Sequence, residues 1–183
     1  MNASKIAAAE RRALLLIDFQ RDFLESSGKL PVARGQVSPA LSAAAKAIAE
    51  ARKAGDMIVA IGSEFRRGDI LMNVLRRSAS IAGSPGAQWT ESLPLDGAKY
   101  FPKWASSAFV NPELDVYLRA HRVGMLAVTG LFAKACVSAT ASEALLRGYR
   151  VQIIAEAVAC SSDASRTDAL HRLQSKGVAL VRA

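Results

Sequence analysis

The sequence predicts a protein of the α/β class, built on a mostly parallel sheet. Short apolar runs, each suited to a buried strand, alternate along the chain with segments that carry helix start and stop signals. Such an alternation is typical of βαβ units, in which all strands point the same way. The chain has 183 residues, 51% hydrophobic and 22% charged, and no linker rich in proline, glycine or serine divides it. We therefore expect one domain with a substantial core.

Six apolar runs give the predicted strands. In chain order they cover residues 14–17, 57–61, 100–101, 125–128, 151–154 and 178–181. Continuous apolar runs of this length indicate strands that are buried on both faces. In a parallel sheet the carboxyl ends of all strands lie along one edge, and ligands bind in the crevice at that edge.

Four helices are predicted between these strands. They cover residues 39–53, 112–122, 136–147, and 162 or 163 to 176. Ser38 is a candidate N-cap for the first of them, with Pro39 at its first position and Gly55 just past its end. Asn111 is the candidate N-cap of the second.

The ends of the chain and its cysteines limit the cellular context. Residues 1–12 are polar and alanine-rich and are expected to form an N-terminal extension, frayed or as a short helix, before a domain over residues 13–183. The apolar run that follows stops at Asp18, too short and too early for a signal peptide or a membrane span. Two cysteines make no disulfide framework, and we expect Cys160 to be buried near a strand end. The expected location is the cytoplasm.

Reactive side chains follow three of the predicted strands. Asp18 ends the first, Lys103 follows the third, and Cys136 begins a helix just beyond the fourth. Because these strand ends share one edge, the three side chains should meet there. The free N–H groups and the dipole of a helix start would favour the thiolate of Cys136, which is a nucleophile. Taken singly, each residue also fits a structural role, as a core cysteine, a turn aspartate or a solvated lysine.

Three motifs carry a family resemblance. Residues 18–23 read DFQRDF, Lys103 is followed by SAF at residues 107–109, and VTG at residues 128–130 leads to CV at 136–137 and TA at 140–141. They resemble the D-x-Q-x-D-F, K-x-x-x-S-A-F and V-T-G…C-V-x-x-T-A segments of isochorismatase-like cysteine hydrolases, in the same order, and the match runs from about residue 14 to the C-terminus. The resemblance implies a three-layer α/β/α sandwich around a six-stranded, Rossmann-like sheet.

The resemblance also implies a reaction, the hydrolysis of an amide or ureido C–N bond, other than a peptide bond, in a small molecule. Asp18 would accept the thiol proton of Cys136, the thiolate would attack the carbonyl carbon, and Lys103 would balance the negative charges. Ammonia or an amine would leave, and water activated by Asp18 would hydrolyse the thioester. The backbone N–H groups of Phe132 and Cys136 would form the oxyanion hole, next to a cis peptide bond between Leu131 and Phe132.

The metal-dependent members of this family carry a pattern that the chain lacks. Nicotinamidases have a D-x-H pair after the second strand and a further histidine as ligands for a divalent metal, whereas residues 62–67 here read GSEFRR. The two histidines, His121 and His171, are far apart in sequence, and we expect surface or packing roles for both. We therefore predict no metal and no cofactor. Glu64 and Phe65 instead resemble the E-F pair of a metal-free subgroup.

Four side chains are candidates for substrate binding: Phe23, Glu64, Trp104 and Phe132. The three aromatic residues would give the pocket an apolar side, and Glu64 would face the substrate. Lys134, two residues before Cys136, would either lower the thiol pKa further or point into solvent.

The formal net charge of +8 raises nucleic-acid binding as a second class of function. No basic run interleaves with aromatic residues and no recognised nucleic-acid motif is present, so we expect neither nucleic acid nor membrane as a partner. Arg66 or Arg67, close to the active edge, would instead attract an anionic substrate such as a carboxylate-bearing amide. Pocket residues in the family often come from a neighbouring subunit, which implies a homodimer or homotetramer.

Two alternative functions remain open at this point. One is an isochorismatase-type or other non-amide hydrolase on the same fold. The other is a redox or scaffold protein that performs no turnover. Reaction of Cys136 with an amide substrate, and not with peroxide alone, would exclude this alternative.

Overall fold

A fully parallel six-stranded sheet forms the centre of the molecule. The computed structural model describes residues 10–183, and its strands lie in the order β3-β2-β1-β4-β5-β6. The chain moves outward from β1 to β3 and then returns to the other side of β1 at β4, so a crevice opens between the carboxyl ends of β1 and β4. The strands are β1 (Arg11–Ile17), β2 (Met57–Ser63), β3 (Lys99–Lys103), β4 (Val123–Leu131), β5 (Arg150–Ala159) and β6 (Ala179–Val181).

Helices and short helical turns connect these strands. The helices are α1 (Arg21–Leu24), α2 (Arg34–Ala54), α3 (Ile70–Leu75), α4 (Pro112–Ala120), α5 (Ser138–Leu146) and α6 (Asp163–Ser175). A π-helical turn (Ala133–Val137) joins β4 to α5, and two short 3₁₀ turns occupy Pro85–Ala87 and Ala108–Val110. None of the helices within residues 10–183 is long and apolar enough to cross a membrane.

The sheet is buried on both faces, as the continuous apolar runs predict. Along β1, Leu15 and Ile17 pack into a cluster with α4, α5 and α6, whereas Leu14 and Leu16 pack into a second cluster with α2. Successive side chains of a strand point to opposite faces, so each face needs its own helical layer. The predicted three-layer α/β/α architecture is therefore confirmed.

The start of α2 differs from the prediction. The helix begins at Arg34, so Ser38 is not its N-cap and Pro39 lies inside it. Contacts from outside the helix stabilise its first turn: the Ala33 N–H donates to the Cys160 carbonyl at 2.9 Å, and the Gln36 side chain accepts from the Cys160 N–H at 2.8 Å. These contacts bridge more than 120 positions, which explains why the local capping signal was misleading.

Other predicted helix ends agree with the structure more closely. The Asn111 side chain accepts from the backbone of α4, Ser162 caps α6, and Gly55 ends α2 with a φ of 72°. The helical conformation predicted to begin at Cys136 begins three residues earlier, with the π-helical turn. Cys160 is buried just after β5, as predicted.

The N-terminal boundary also changes. Arg11 and Arg12, predicted to belong to the extension, are the first two residues of β1 and pair with β4. The rest of the predicted extension, residues 1–9, lies outside the described residues.

Candidate active site

Asp18, Lys103 and Cys136 meet at the carboxyl edge of the sheet. Asp18 follows β1, Lys103 is the last residue of β3, and Cys136 lies in the π-helical turn after β4. The Lys103 Nζ is 2.9 Å from Asp18 Oδ2 and donates to Cys136 Sγ at 3.2 Å. Asp18 and Lys103 are fully buried, so this is an ion pair without solvent screening, in contact with a thiol.

The ammonium group of Lys103 has more acceptors than protons. Besides Asp18 and Cys136, it contacts Ser63 Oγ at 2.7 Å and the Ala105 carbonyl at 3.2 Å. Three N–H bonds serve four acceptors, and the directed hydrogen bonds go to Ser63, Ala105 and Cys136. Asp18 Oδ2 is held by charge and has no directed hydrogen bond within residues 10–183. That oxygen therefore has a lone pair free to receive a proton.

Ser63 is a member of the site that the sequence analysis missed. Its hydroxyl accepts from Lys103 and donates to Asp18 Oδ1 at 2.9 Å, so it bridges the ion pair. Gln20 clamps the backbone of Ser63, accepting from its N–H at 2.8 Å and donating to its carbonyl at 2.9 Å and to that of Ala87 at 2.7 Å. The available sequence signal was the position of Ser63 at the carboxyl end of β2, on the same edge as Asp18, Lys103 and Cys136.

The backbone around Asp18 is tightly fixed. Asp18 has a φ of 58°, unusual for a residue other than glycine, and its N–H donates to the Ile61 carbonyl at 2.8 Å. Beside it, Gly130 has a φ of 130°, and a Cβ added there would lie 2.2 Å from the Ile17 carbonyl oxygen. Glycine at this position lets β4 approach β1 where β1 delivers Asp18.

Burial raises the pKa of the Cys136 thiol, whereas its position near a helix start led us to expect a stabilised thiolate. Loss of solvent and the negative charge of the neighbouring Asp18 carboxylate raise the pKa of Cys136 to about 12, although Lys103 acts in the opposite direction. The prediction that the helix start favours the thiolate is therefore wrong for the resting protein. Burial by itself lowers the pKa of Lys103, but Asp18 and Cys136 outweigh it and the pKa is raised overall. The resting site thus holds a neutral thiol beside a protonated lysine.

The raised thiol pKa predicts how the reactivity of Cys136 depends on pH. In a Cys160→Ala background, alkylation of Cys136 by iodoacetamide should accelerate by about tenfold per pH unit from about pH 7 to about pH 10, because only the thiolate reacts. The measurement is the alkylation rate by intact-protein mass spectrometry. A rate that levels off near neutral pH would contradict the raised pKa.

The thiol opens into a small, mostly apolar cavity of about 190 Å³. This is less than the ~300–1,000 Å³ that holds drug-sized ligands, so the space suits a compact molecule. The rings of Phe23 and Phe132 meet edge to face on one wall, with centroids 5.6 Å apart. Residues that line the cavity are Phe23, Leu30, Ser63, Phe65, Arg76, Ala79, Ser106, Phe132, Ala135 and Cys136.

Two of the four candidate substrate-binding residues do not reach this cavity. Phe23 and Phe132 line it, but Glu64 accepts a hydrogen bond from the Tyr100 hydroxyl at 2.8 Å, and Trp104 is 48% exposed and does not line the cavity. Burial and the Glu64 carboxylate together raise the pKa of the Tyr100 phenol, which keeps it a donor to Glu64.

The basic residues near the edge are arranged differently from the expectation. Arg66 is exposed and Arg67 lines a separate surface groove, whereas Arg76 is the arginine that lines the cavity. Lys134 is exposed and lines a wider groove of about 420 Å³ against α6, with Asp168. Lys134 was expected either to lower the thiol pKa or to point into solvent, and the structure agrees with the second expectation.

The residues of this site do not fit a divalent metal. Within the described part of the chain, no group of three or more histidine, cysteine, aspartate or glutamate side chains is placed to hold an ion. The His121 ring packs on Tyr117 at the end of α4, with centroids 4.3 Å apart, and His171 is exposed on α6. The predicted surface and packing roles of the histidines are confirmed.

The bridging hydroxyl of Ser63 leads to a second prediction. Ser63→Ala should lower kcat by about 10- to 100-fold, because Asp18 and Lys103 each lose a hydrogen bond that fixes their orientation. Steady-state kinetics would measure the loss. Ser84→Ala is the matched control, since the Ser84 hydroxyl is buried and has no hydrogen-bond partner among residues 10–183. Equal kinetics of the two variants would show that the Ser63 hydroxyl does not contribute to catalysis.

Known proteins resemble this chain over most of its length. The family model of the isochorismatase domain matches residues 12–183. Ureidoacrylate amidohydrolase RutB of Cronobacter sakazakii is 29% identical over 166 residues, which cover 78% of this chain and 72% of that protein. The pyrazinamidase of Pyrococcus horikoshii, solved in complex with zinc, has a TM-score of 0.84 at 27% identity, with 94% of this chain and 99% of that chain covered.

A third similarity is to N-carbamoylsarcosine amidase from Thermoplasma acidophilum. Its TM-score is 0.81 at 28% identity, with 94% of this chain and 96% of that chain covered. The structure also contains the cis peptide bond between Leu131 and Phe132 that the motif resemblance implied. Because the family model spans the chain from β1 to the C-terminus, the protein belongs to the isochorismatase domain family.

Proposed function

We propose that the protein is a cysteine-dependent amidohydrolase that cleaves a C–N bond, of amide or ureido type, in a small molecule. The observation that carries the proposal is the buried contact of Lys103 Nζ with both Asp18 Oδ2 and Cys136 Sγ, next to the cavity that Cys136 lines. The names of two similar proteins, an amidohydrolase and an amidase, support the same reaction class.

The first chemical step is proton transfer from Cys136 to Asp18. The free lone pair of Asp18 Oδ2 receives the thiol proton as the sulfur attacks the substrate carbonyl carbon. The thiolate is unfavourable in the resting site, so the proton leaves only as the new C–S bond forms. Lys103, which stays protonated, keeps a positive charge beside the sulfur during the attack.

The carbonyl oxygen becomes negatively charged when the C–S bond forms. Phe132 directly follows the last residue of β4, and Cys136 lies in the π-helical turn that comes next. The two residues therefore belong to one short segment. We assign the oxyanion to their backbone N–H groups. When the intermediate collapses, the C–N bond breaks, the nitrogen takes the proton from Asp18, and ammonia or an amine leaves a thioester on Cys136.

Hydrolysis of the thioester completes the cycle. Asp18, again ionised, accepts a proton from a water molecule as the water oxygen attacks the thioester carbon. The C–S bond then breaks, the sulfur recovers a proton from Asp18, and the acid product leaves. Each turnover consumes one water molecule and returns the thiol to its neutral form.

Ammonia release provides the direct test of this function. Small primary amides, ureido acids and nicotinamide form the panel, and substrates found in it are then mixed with the enzyme and quenched in acid. Intact mass should show an acyl group on Cys136 during turnover. Turnover of an amide without any acylated enzyme would contradict the thioester route.

We further propose that the reaction needs no metal. Turnover of a substrate from the panel should be unchanged after exhaustive chelation, because the residues around the thiol offer no set of three ligands within residues 10–183. Elemental analysis of the purified protein accompanies the assay. A stoichiometric transition metal whose removal abolishes turnover, and whose return restores it, would refute the proposal.

A further inference from the structure

Arg76 is the one charged side chain among the residues that line the cavity. It follows α3, and its guanidinium carbon lies 3.8 Å from the centroid of the Phe65 ring, on which it stacks. The side chain is only 24% exposed, and its Nη1 atom is fully buried. Arg76 therefore contributes a positive charge and several N–H donors to an otherwise aromatic wall.

The charge of Arg76 is poorly compensated by the protein. Nη1 has no hydrogen-bond partner within the described residues, and the carboxylate paired with it, Asp69 Oδ2, is 4.0 Å away. The Asp69 side chain is 49% exposed, so water weakens this contact. A buried, charged donor without an acceptor is unfavourable unless a ligand supplies one.

The chain after Arg76 is held in a fixed, uncommon conformation. Arg77, Ser78 and Ser80 have φ values of 53°, 55° and 51°, in the left-handed region. The Asp22 carboxylate accepts from the Ser80 N–H at 2.8 Å and from the Lys29 N–H at 3.2 Å, and Lys29 Nζ donates to the Ser78 carbonyl at 3.0 Å. Asp22, the second acid of the DFQRDF motif, thus fixes the segment that presents Arg76.

We propose that Arg76 binds a carboxylate of the substrate while Cys136 attacks an amide or ureido carbonyl at the substrate's other end. This inference rests on the proposed function and narrows it to short amic or ureido acids. The phenyl rings of Phe23, Phe65 and Phe132 would enclose the short carbon chain between the two polar groups. A planar guanidinium matches a carboxylate through two parallel hydrogen bonds. The anion site is therefore Arg76, and not the exposed Arg66 or Arg67.

Matched substrates test the proposal by turnover. Succinamate carries a carboxylate at one end and a primary amide at the other, and levulinamide replaces that carboxylate by a methyl ketone of similar shape. The native enzyme should prefer succinamate in kcat/KM, and Arg76→Met should lower that value by about 10- to 100-fold while changing levulinamide less than about threefold. Arg76→Lys should retain part of the preference, because it keeps the charge but not the fork.

Arg66→Met is the matched control, since it removes the same charge from an exposed arginine ten positions away. It should leave the preference for succinamate intact. Equal losses in Arg66→Met and Arg76→Met, or equal losses on the two substrates in Arg76→Met, would overturn the assignment of the carboxylate to Arg76.

A second measurement needs no turnover. Levulinate presents a carboxylate and a ketone that cannot be hydrolysed, and it should protect Cys136 from iodoacetamide, whereas 2-pentanone, which lacks the carboxylate, should not. The levulinate concentration for half protection should rise by about tenfold or more in Arg76→Met and stay unchanged in Arg66→Met. The alkylation rate without levulinate reports whether each variant is folded around Cys136.

The two measurements separate this inference from the proposed function. Loss of levulinate protection in Arg76→Met, without hydrolysis of any amide by the native protein, would support the carboxylate site and contradict the amidohydrolase. Amide hydrolysis with no preference for succinamate, and with levulinate protection independent of Arg76, would overturn the carboxylate site and leave the amidohydrolase in place.

Discussion

Cys136→Ala should lower kcat by about four orders of magnitude or more, because it removes the thiol that we propose as the nucleophile and as the site of the covalent intermediate. The thiol accepts a hydrogen bond from Lys103 beside Asp18, and no acyl group can be transferred to alanine. The fold should persist, since Lys103 retains its contacts with Asp18, Ser63 and Ala105. Steady-state kinetics on a substrate found in the ammonia-release panel, with a thermal melt of each variant, measure both effects.

Cys160→Ala is the matched control for this substitution. Cys160 is the second cysteine of the chain, is buried just after β5, and undergoes the same chemical change. We expect it to retain turnover and a single site of alkylation, even if its stability falls by about 1–2 kcal/mol through the lost packing. A folded Cys136→Ala variant with native turnover would contradict the proposed cysteine-dependent mechanism.

Lys103→Met should abolish turnover and also destabilise the protein. The substitution leaves the Asp18 carboxylate fully buried without its counter-ion, which costs about 3–5 kcal/mol when one partner of a buried pair is removed. It also removes the cation that lowers the thiol pKa, so alkylation of Cys136 at neutral pH should slow further. Denaturant unfolding and the alkylation rate measure the two effects, and Lys103→Arg should keep the charge but misplace it.

Two further variants separate charge from general damage to the strand. Lys99→Met makes the same substitution at an exposed position of β3 and should be close to neutral. Combining Lys103→Met with Asp18→Asn removes both charges and should recover part of the lost stability, but no turnover, because the double variant lacks the proton acceptor that we propose. Asp18→Asn alone should leave a thiol that alkylates but does not turn over. If Lys103→Met leaves unfolding, alkylation and turnover unchanged, the proposed joint role of Asp18, Lys103 and Cys136 is wrong.

The sequence predicted the class of the fold because its signals are local and repeated. The apolar runs at residues 14–17 and 57–61 have the length of buried strands, and Gly55 and Asn111 mark helix ends through backbone effects within a few residues. An alternation of strands and helices gives a parallel sheet, in which the carboxyl ends of all strands share one edge. The meeting of Asp18, Lys103 and Cys136 could therefore be inferred without coordinates. The DFQRDF, SAF and VTG motifs added the family, which the match over residues 12–183 confirms.

The electrostatic state of the site could not be inferred in the same way. A cysteine near a helix start suggests a stabilised thiolate, but the pKa of Cys136 depends on burial and on the Asp18 carboxylate, which come from other elements of the fold. Likewise Ser63 joins Asp18 and Lys103 through contacts that bridge 45 and 40 positions. Nothing in the residues next to Ser63 reports those contacts.

What the sequence determined by itself is therefore the order of the elements and which side chains meet at the carboxyl edge of the sheet, since both follow from periodicity, capping and motif spacing. Only the tertiary structure decided which charged side chains face the cavity. Glu64 accepts a hydrogen bond from Tyr100, Arg66 is exposed to solvent, and Arg76 lines the cavity. The physical reason is that charge, desolvation and side-chain direction depend on distances between segments that are remote in the chain, and only the packed fold sets those distances.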